Sequence, residues 1–452
     1  MPVAVVILAA GQGSRMKSDL PKVLHKVAHA PLLVHAMRAA QSIEADRIVV
    51  VTGHGGAAVA AAATDYAEDT VIVTQDEQLG TAHAVQQARD ALADFDGDVV
   101  VLYGDTPFIR EETLQDMLSA RQSGAGIVVL GFEAAAPGRY GRLVLDQSGG
   151  LARIVEAKDA SAEELAITLC NSGVICADRS TMFDLIEAVG NDNESEEYYL
   201  TDLVGLARDR DLSCAAITCP EAETMGVNSR VDLAAAEATF QAAVRLEALE
   251  NGATLSAPET VHFAYDTYIG RDVVIEQNVV FGPEVTVESG AHIRAFSHLE
   301  GCHVSEAAVI GPYARLRPGA EIGGGAKVGN FVEVKSALVG TGAKINHLSY
   351  VGDAEIGADA NIGAGTITCN YDGVFKHKTV IGARAFIGSN TALVAPVTIG
   401  EDAMTGSGSV VTQDAGDGDL AIARAKQVNK TGLALRVMNK LRAAKAAQLK
   451  DK

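Results

Sequence analysis

Through the first half of the chain, short apolar runs alternate with longer amphipathic ones. Residues 3–8, 47–51, 71–74, 99–103 and 127–131 are continuous, mostly β-branched runs that predict buried strands. Residues 32–43, 80–93 and 112–123 carry the spacing of helices. Strands that alternate with helices imply βαβ units and a parallel sheet covered on both faces. Such sheets hold ligands at the carboxyl ends of their strands, so the loops after Leu8, Thr74 and Tyr103 are the first places to look for chemistry. Residues 229–251, rich in Ala and Glu, predict one long helix without strand signals on either side. The expected organisation is a first domain over 1–230, a linker helix over 231–251 and a second domain over 252–452.

A different order begins at Tyr268. Ile269, Ile275, Phe281, Val287, Ile293 and Leu299 recur every sixth position. The phase slips and resumes at Ile310, Leu316, Ile322, Val328 and Val334, slips to Val339, Ile345 and Val351, and slips again to Ile356 and Ile362. After an interruption it returns at Ile381, Ile387, Leu393, Ile399, Thr405 and Val411, and glycine often follows the aliphatic residue. A six-residue period is the signature of a hexapeptide parallel β-helix, in which each hexad supplies one short strand and one turn. The interruption over 368–379, TCNYDGVFKHKT, extrudes a polar, aromatic and basic loop that an aliphatic column gains nothing from, as functional loops on rigid scaffolds do. Beyond Ala421 the chain turns basic, and its end predicts a short amphipathic or frayed helix.

A net charge of −21 argues against a dedicated nucleic-acid binder but leaves room for phosphorylated small molecules in a local Arg/Lys pocket. The six cysteines show neither CxxC pairs nor zinc-like spacing, so reduced thiols in a cytoplasmic protein are expected. No apolar run approaches the roughly 20 residues that span a bilayer. The apolar start lacks a basic leader region and runs into a glycine loop, as a strand does.

That loop, LAAGQGSRM over 8–16, is followed by Pro21 and Lys22. Backbone N–H groups freed at Gly11 and Gly13 can wrap a triphosphate, and Arg15 and Lys22 can neutralise it. Met16 stands where a dinucleotide fingerprint would need its third glycine. Further along come Gln75, QLGTAHA over 78–84, Tyr103-Gly104-Asp105, Tyr140-Gly141-Arg142, Glu156-Ala157-Lys158, Asn171-Ser172-Gly173 and Gly226-Val227-Asn228. Together these motifs resemble the sugar-1-phosphate nucleotidylyltransferases over the whole first half. They closely resemble the uridylyltransferase half of the bacterial bifunctional GlmU family, which implies a Rossmann-like nucleotidyltransferase domain. The resemblance implies that Gln75, Gly80 and Thr81 meet uracil and ribose, that Gly141, Glu156 and Asn171 meet the N-acetylglucosamine ring, and that Asp105 and Asn228 hold Mg²⁺.

In the second half ARLRPGA (314–320), VGNFVEVKSA (328–337), INHLSYVGDAEIG (345–357) and NIGAGTITCNYDG (361–373) resemble the acetyltransferase half of the same family, a left-handed β-helix. The resemblance implies that His347 is the general base toward the glucosamine amine. Arg317 and Lys335 would meet the sugar phosphate, with Tyr350, Asn361 and Lys376 lining the aminosugar. Ala364, Asn370, Tyr371, Ser389, Ser407 and Arg424 would contact acetyl-CoA. Ser407 stands where the family often has alanine, and Ala425-Lys426 follow Arg424 where a proline is common nearby. The family's trimeric assembly implies a homotrimer with acetyl-CoA between subunits. The expected reactions are acetylation of glucosamine-1-phosphate, then uridylyl transfer from UTP to the product. Two alternatives stand beside this: a nucleotidylyltransferase whose β-helix only assembles or regulates it, and a non-catalytic trimeric nucleotide sensor.

Overall fold

The computed structural model describes residues 1–193 and 195–450; Asp451 and Lys452, the end of the expected tail, lie outside them. The chain divides into two units, one comprising residues 1–247 with 263–266, the other 248–262 with the described residues from 267 onward.

The first unit is built on a sheet whose main strands lie in the order Cys214–Cys219, Ile127–Glu133, Leu169–Asp178, Asp98–Tyr103, Val3–Ala9, Arg47–Thr52, Val71–Thr74. Val3–Ala9 is buried along its whole length. Its odd residues Val3, Val5 and Ile7 face one apolar core, and Ala4, Val6 and Leu8 face the other. The period of two along a strand thus divides one apolar run between two layers of helices. The sheet is mixed rather than parallel, because Leu169–Asp178 runs antiparallel to both its neighbours. A parallel return would need a crossover of a dozen or more residues packed on the sheet. The stretch before this strand instead forms the hairpin Arg142–Leu145 and Leu151–Val155 with one helical turn, Ala162–Leu165. The helix expected over 80–93 is broken into Thr81–Gln86 and a 3₁₀ turn at Asp90–Leu92.

The long helix spans Arg230–Glu250. A reciprocal cap starts it: Ser229 Oγ accepts from the Asp232 N–H at 3.2 Å, and Asp232 Oδ2 accepts from the Ser229 N–H at 2.8 Å. Gln241 on this helix bonds both backbone groups of Phe263, at 2.9 and 2.7 Å, which anchors 263–266 in the first unit.

In the second unit the hexads wind into three walls of short parallel strands. On one wall Ile275, Ile293, Ile310, Val328, Ile345, Ile362 and Ile387 stack in register, each on its counterpart one coil away. The other two walls are joined by Glu333–Val339 and Tyr350–Ile356, which turn a corner: Glu333 pairs with Tyr350 and Ala337 with Ala354. Coil length explains the phase slips. From Ile275 to Ile293 the coil is 18 residues, from Ile293 to Ile310 it is 17, so one side is shortened to five residues. The interruption is an insertion between Cys369 and Thr379; Thr368 and Thr379 themselves stay buried in the walls.

Corners decide which residues the coil accepts. A Cβ on Gly340 would lie 2.6 Å from the backbone nitrogen of Ala358 on the next coil, which explains why glycine follows the aliphatic position. Elsewhere a corner takes a large residue at positive φ, a costly conformation for it. Phe296, Tyr313 and Phe331 do so with φ of 60°, 56° and 54°. Their rings stack at 4.9 and 5.2 Å, and such contacts are worth about 0.5–1.5 kcal/mol each, offsetting part of the strain. The six cysteines are unpaired, and among the described residues no helix is long and apolar enough to cross a membrane. Leu433–Lys450 forms the C-terminal helix.

Gly340→Ala should destabilise the β-helix by about 1–3 kcal/mol, since backbone must shift to admit the methyl group. Gly324→Ala, whose Cβ would meet nothing nearer than 3.5 Å, should leave it within about 0.5 kcal/mol of wild type. Chemical denaturation of the two variants checks both.

Candidate active sites

At the carboxyl ends of the strands Val3–Ala9, Val71–Thr74 and Asp98–Tyr103 lies a cavity of about 250 Å³. Gly11, Lys22, Gln75, Gly80, Thr81, Tyr103 and Asp105 line it, so the structure brings together most of the nucleotide-side candidates. At its centre the Lys22 ammonium forms an ion pair with Asp105 and donates to Asn228 Oδ1 at 3.1 Å. The Val227 N–H donates to the Asp105 carbonyl at 2.9 Å, which draws the Gly226–Asn228 turn beside the sheet. Gly13 packs against the Lys22 stem, where a Cβ would lie 2.5 Å from the Lys22 Cβ. The amide of Gly104 donates to the Leu8 carbonyl at 2.9 Å. Arg15 is exposed on the turn Ser14–Met16 and does not line the cavity.

A second cluster adjoins it. A Cβ built on Gly141 would lie 3.6 Å from both Asn171 Cβ and Glu156 Oε1, and the Asn171 N–H donates to the Gly141 carbonyl at 2.8 Å. Tyr103 stands near both clusters. Burial first, then the carboxylates of Asp105 and Glu156, push its phenol well above the ordinary range. Burial likewise raises the Glu156 carboxyl, against the opposing pull of Lys158. Residues to which the sequence reading gave no role also belong here, Gln78 of the QLGTAHA motif among them. Gln78 donates to the Ala10 carbonyl at 2.7 Å and Glu197 lines the cavity. Asp232 Oδ2 accepts from the Asn228 N–H at 3.0 Å. The Ser-x-x-Asp spacing of a capping box was the available signal for Asp232.

On the β-helix, His347 is exposed at the end of Lys344–His347. Its Nδ1 lies 2.7 Å from Asn330 Oδ1, one coil earlier on the same corner. An amide oxygen can only accept, so Nδ1 carries the hydrogen, and in the neutral imidazole Nε2 is bare. Asn330 had no distinguishing signal, because its partnership exists only across coils. Ala364, Ser389 and Ser407 occupy the same corner on successive coils: the amides of Gly365, Asn390 and Gly408 donate to the carbonyls of His347, Ala364 and Ser389.

A basic patch forms between an adjoining wall and the extruded loop. Arg317 pairs with Glu333 at 2.8 Å, and the Lys376 ammonium beside Lys335 lowers the latter's pKa, with Arg317 adding to the effect. A Cβ on Gly352 would meet the Tyr350 hydroxyl and Asn370 Nδ2, so these side chains cover that glycine. Asn361 lies on the histidine's wall, paired with Lys344. The extruded loop is pinned by Asp372, which accepts from the Val374 and Phe375 amides and contacts His377 at 2.7 Å. Those contacts, His377 first, hold its carboxyl at about 2. Tyr371 and Arg424 are exposed. Among the described residues no hydrogen bond or ion pair joins His347 to Arg317, Lys335, Tyr350, Asn361 or Lys376. One chain thus carries the groups without enclosing them.

A nucleotide-type cavity on an α/β sheet, followed by hexapeptide coils with an exposed, tautomerically defined histidine, is the build of a two-domain transferase. Residues 5–196 match the MobA-like NTP transferase domain and residues 378–413 match the bacterial transferase hexapeptide (six repeats). The chain is similar to a protein named "Bifunctional protein GlmU" in a Ruegeria species, 64% identical over 450 residues that cover 100% of both chains. It is 63% identical to the protein of that name in Ruegeria pomeroyi, again over 100% of both, and 61% identical to that of Cereibacter sphaeroides, over 99% and 98%. The chain belongs to the bifunctional GlmU family.

Because the folded state holds the Glu156 proton more tightly than the unfolded chain, this group's contribution is full below the ordinary carboxylate range. It is lost as pH rises through the raised value. Glu156→Gln, which cannot ionise, should therefore gain in melting temperature relative to wild type as pH goes from 4 to 8. A difference that stays constant across that range would show that burial does not control the group.

Proposed function

We propose that the two units of this bifunctional transferase divide the synthesis of UDP-N-acetylglucosamine between them. The second unit moves the acetyl group of acetyl-CoA to the amine of glucosamine-1-phosphate. The first joins the product to the uridylyl group of UTP and releases pyrophosphate. The observation that carries the acetyl-transfer half is the Asn330–His347 contact. A bare Nε2 can take the proton from the attacking amine, a general-base role worth typically about 10²–10⁴ in rate. Arg317, Lys335 and Lys376 gather positive charge for the sugar phosphate, and Tyr350 and Asn361 offer polar groups to the aminosugar.

The acetyl-CoA set combines a corner column of small residues, Ala364, Ser389 and Ser407, with the exposed Tyr371 on the loop and Arg424 on the tail; Asn370, at the base of the loop, is buried and its amide donates to Asp353. Such an open surface suits a site completed by neighbouring subunits, and a closed homotrimer is the expected assembly.

For uridylyl transfer, the oxygens of Asp105 and Asn228 already converge on a cation, the Lys22 ammonium. Two hard oxygens supplemented by phosphate and water suit Mg²⁺. Among the described residues there is no cluster of three or more His, Cys, Asp and Glu side chains to offer a different metal site. When bound, Mg²⁺ supplies charge neutralisation on the phosphates. Lys22 is then free to turn to the triphosphate, joined by Arg15 and the amides of Gly11 and Gly13. Tyr103 lines the cavity beside Asp105, and Gly104 between them is tied to the Leu8 carbonyl. Gln75, Gly80 and Thr81 meet uracil and ribose, while Gly141, Glu156 and Asn171 meet the N-acetylglucosamine ring. Held in line, the sugar phosphate oxygen bonds to the α-phosphorus as the bond to the β-phosphate breaks, a displacement that needs positioning more than covalent chemistry.

His347→Ala should cut CoA release from acetyl-CoA and glucosamine-1-phosphate by about 10²–10⁴ while sparing pyrophosphate release. Asp105→Ala should cut pyrophosphate release by about 10²–10³ while sparing CoA release. Equal loss of both activities in either folded variant would contradict the division of labour.

A further inference from the structure

Gln75 reaches the nucleotide-side cavity with almost no freedom of its own. It is only 4% exposed. Its Nε2 donates to the Gly80 carbonyl at 3.1 Å and lies 3.0 Å from Nδ1 of His83. The carbonyl can only accept, so the amide must face it with nitrogen; turned over, two oxygens would meet at hydrogen-bonding distance. Both amide hydrogens are therefore engaged, one by Gly80 and one by a bare Nδ1 on His83. Oε1 is then the one polar atom of this side chain left for the cavity, and among the described residues nothing donates to it.

A second amide competes for the imidazole. Gln87 Nε2 lies 3.2 Å from Nε2 of His83 and donates to the His83 carbonyl at 3.0 Å. A neutral imidazole has one bare nitrogen and cannot accept from both glutamines. Gln87 is half-buried and can turn toward solvent, whereas Gln75 is buried and, among the described residues, its second amide hydrogen has no acceptor but His83. The bare nitrogen belongs to Gln75.

We propose that His83 is a positioning residue that sets base specificity. By accepting from Gln75 it keeps the amide oxygen aimed at the base, so the site requires a ring N–H at that point. Uracil presents one at its N3, where cytosine has a bare acceptor. Two acceptors brought face to face out of water leave both unpaired, the kind of mismatch that discriminates most strongly. Without His83 the Gly80 carbonyl alone opposes the turn, and an amide that turns offers its N–H to cytosine. The proposal rests on reading this cavity as the UTP site.

The test is the ratio of kcat/KM for UTP over CTP, read by pyrophosphate release with N-acetylglucosamine-1-phosphate on the full chain. His83→Phe should lower that ratio at least about tenfold, mainly through a higher KM for UTP. His83→Asn, whose Oδ1 can accept where Nδ1 did, should keep the ratio within about threefold of wild type, and so should Gln87→Ala. General damage to the domain lowers both nucleotides alike and leaves the ratio unmoved. If thermal unfolding shows that the phenylalanine ring is not accommodated, His83→Ala makes the same deletion without the bulk. A ratio unchanged in the deletion variant, or one that falls as far in the asparagine variant, overturns the role of His83. A wild-type protein that does not turn over UTP overturns the reading of the cavity itself.

Discussion

The Lys22 ammonium is shared between the carboxylate of Asp105 and the carboxamide oxygen of Asn228, and three stretches of chain far apart in sequence meet there. A mostly buried cation beside a mostly buried carboxylate is costly to leave unpaired. Each partner therefore constrains the others: the glycine loop packs on the lysine stem, and the strand Asp98–Tyr103 carries the carboxylate. The turn at Asn228 is tied to both through the Val227 N–H. The same turn opens the Arg230–Glu250 helix, and Asp232, which caps that helix, also bonds the Asn228 amide. The helix expected as a linker is thus part of the first site through its opening turn.

The β-helix solves a different problem. Its interior is committed to stacked aliphatics, and its walls are committed to parallel hydrogen bonds between coils. Chemistry can enter only at corners, on outward-facing wall positions or on insertions. His347 uses a corner, and the neighbouring coil supplies Asn330 to define its tautomer. The basic patch draws Lys335 from a wall and Lys376 from the insertion between Cys369 and Thr379, which also carries Tyr371. A corner repeats once per coil, which is why Asn330, His347, Ala364, Ser389 and Ser407 form one column although consecutive members lie 17 to 25 positions apart.

Much of this was legible beforehand. The β-branched runs of the first half are strands, and the six-residue period is a stack of short parallel strands, down to phase slips that prove to be shortened sides. What escaped depends on contacts between elements. The antiparallel Leu169–Asp178 strand follows from the lack of a crossover helix before it, and strands as short as the four residues Arg142–Leu145 are too brief to show a period. The helix expected over 80–93 is interrupted after Gln86, because propensity does not register how a segment packs.

Local chemistry and periodicity belong to the amino-acid sequence by itself: a glycine loop with basic residues behind it, an α/β half, a repeating half, and a set of polar residues too concentrated for a scaffold. Those properties need only a few neighbouring residues to be expressed. The tertiary structure alone decided which atoms are free. It leaves Nε2 of His347 bare because Asn330 lies one coil away, leaves Oε1 of Gln75 open because Gly80 and His83 engage its nitrogen, and holds Lys22 between two oxygens from distant segments. A hydrogen bond is directional and fails beyond about 3.5 Å, so which donor finds which acceptor is undetermined until the chain has folded.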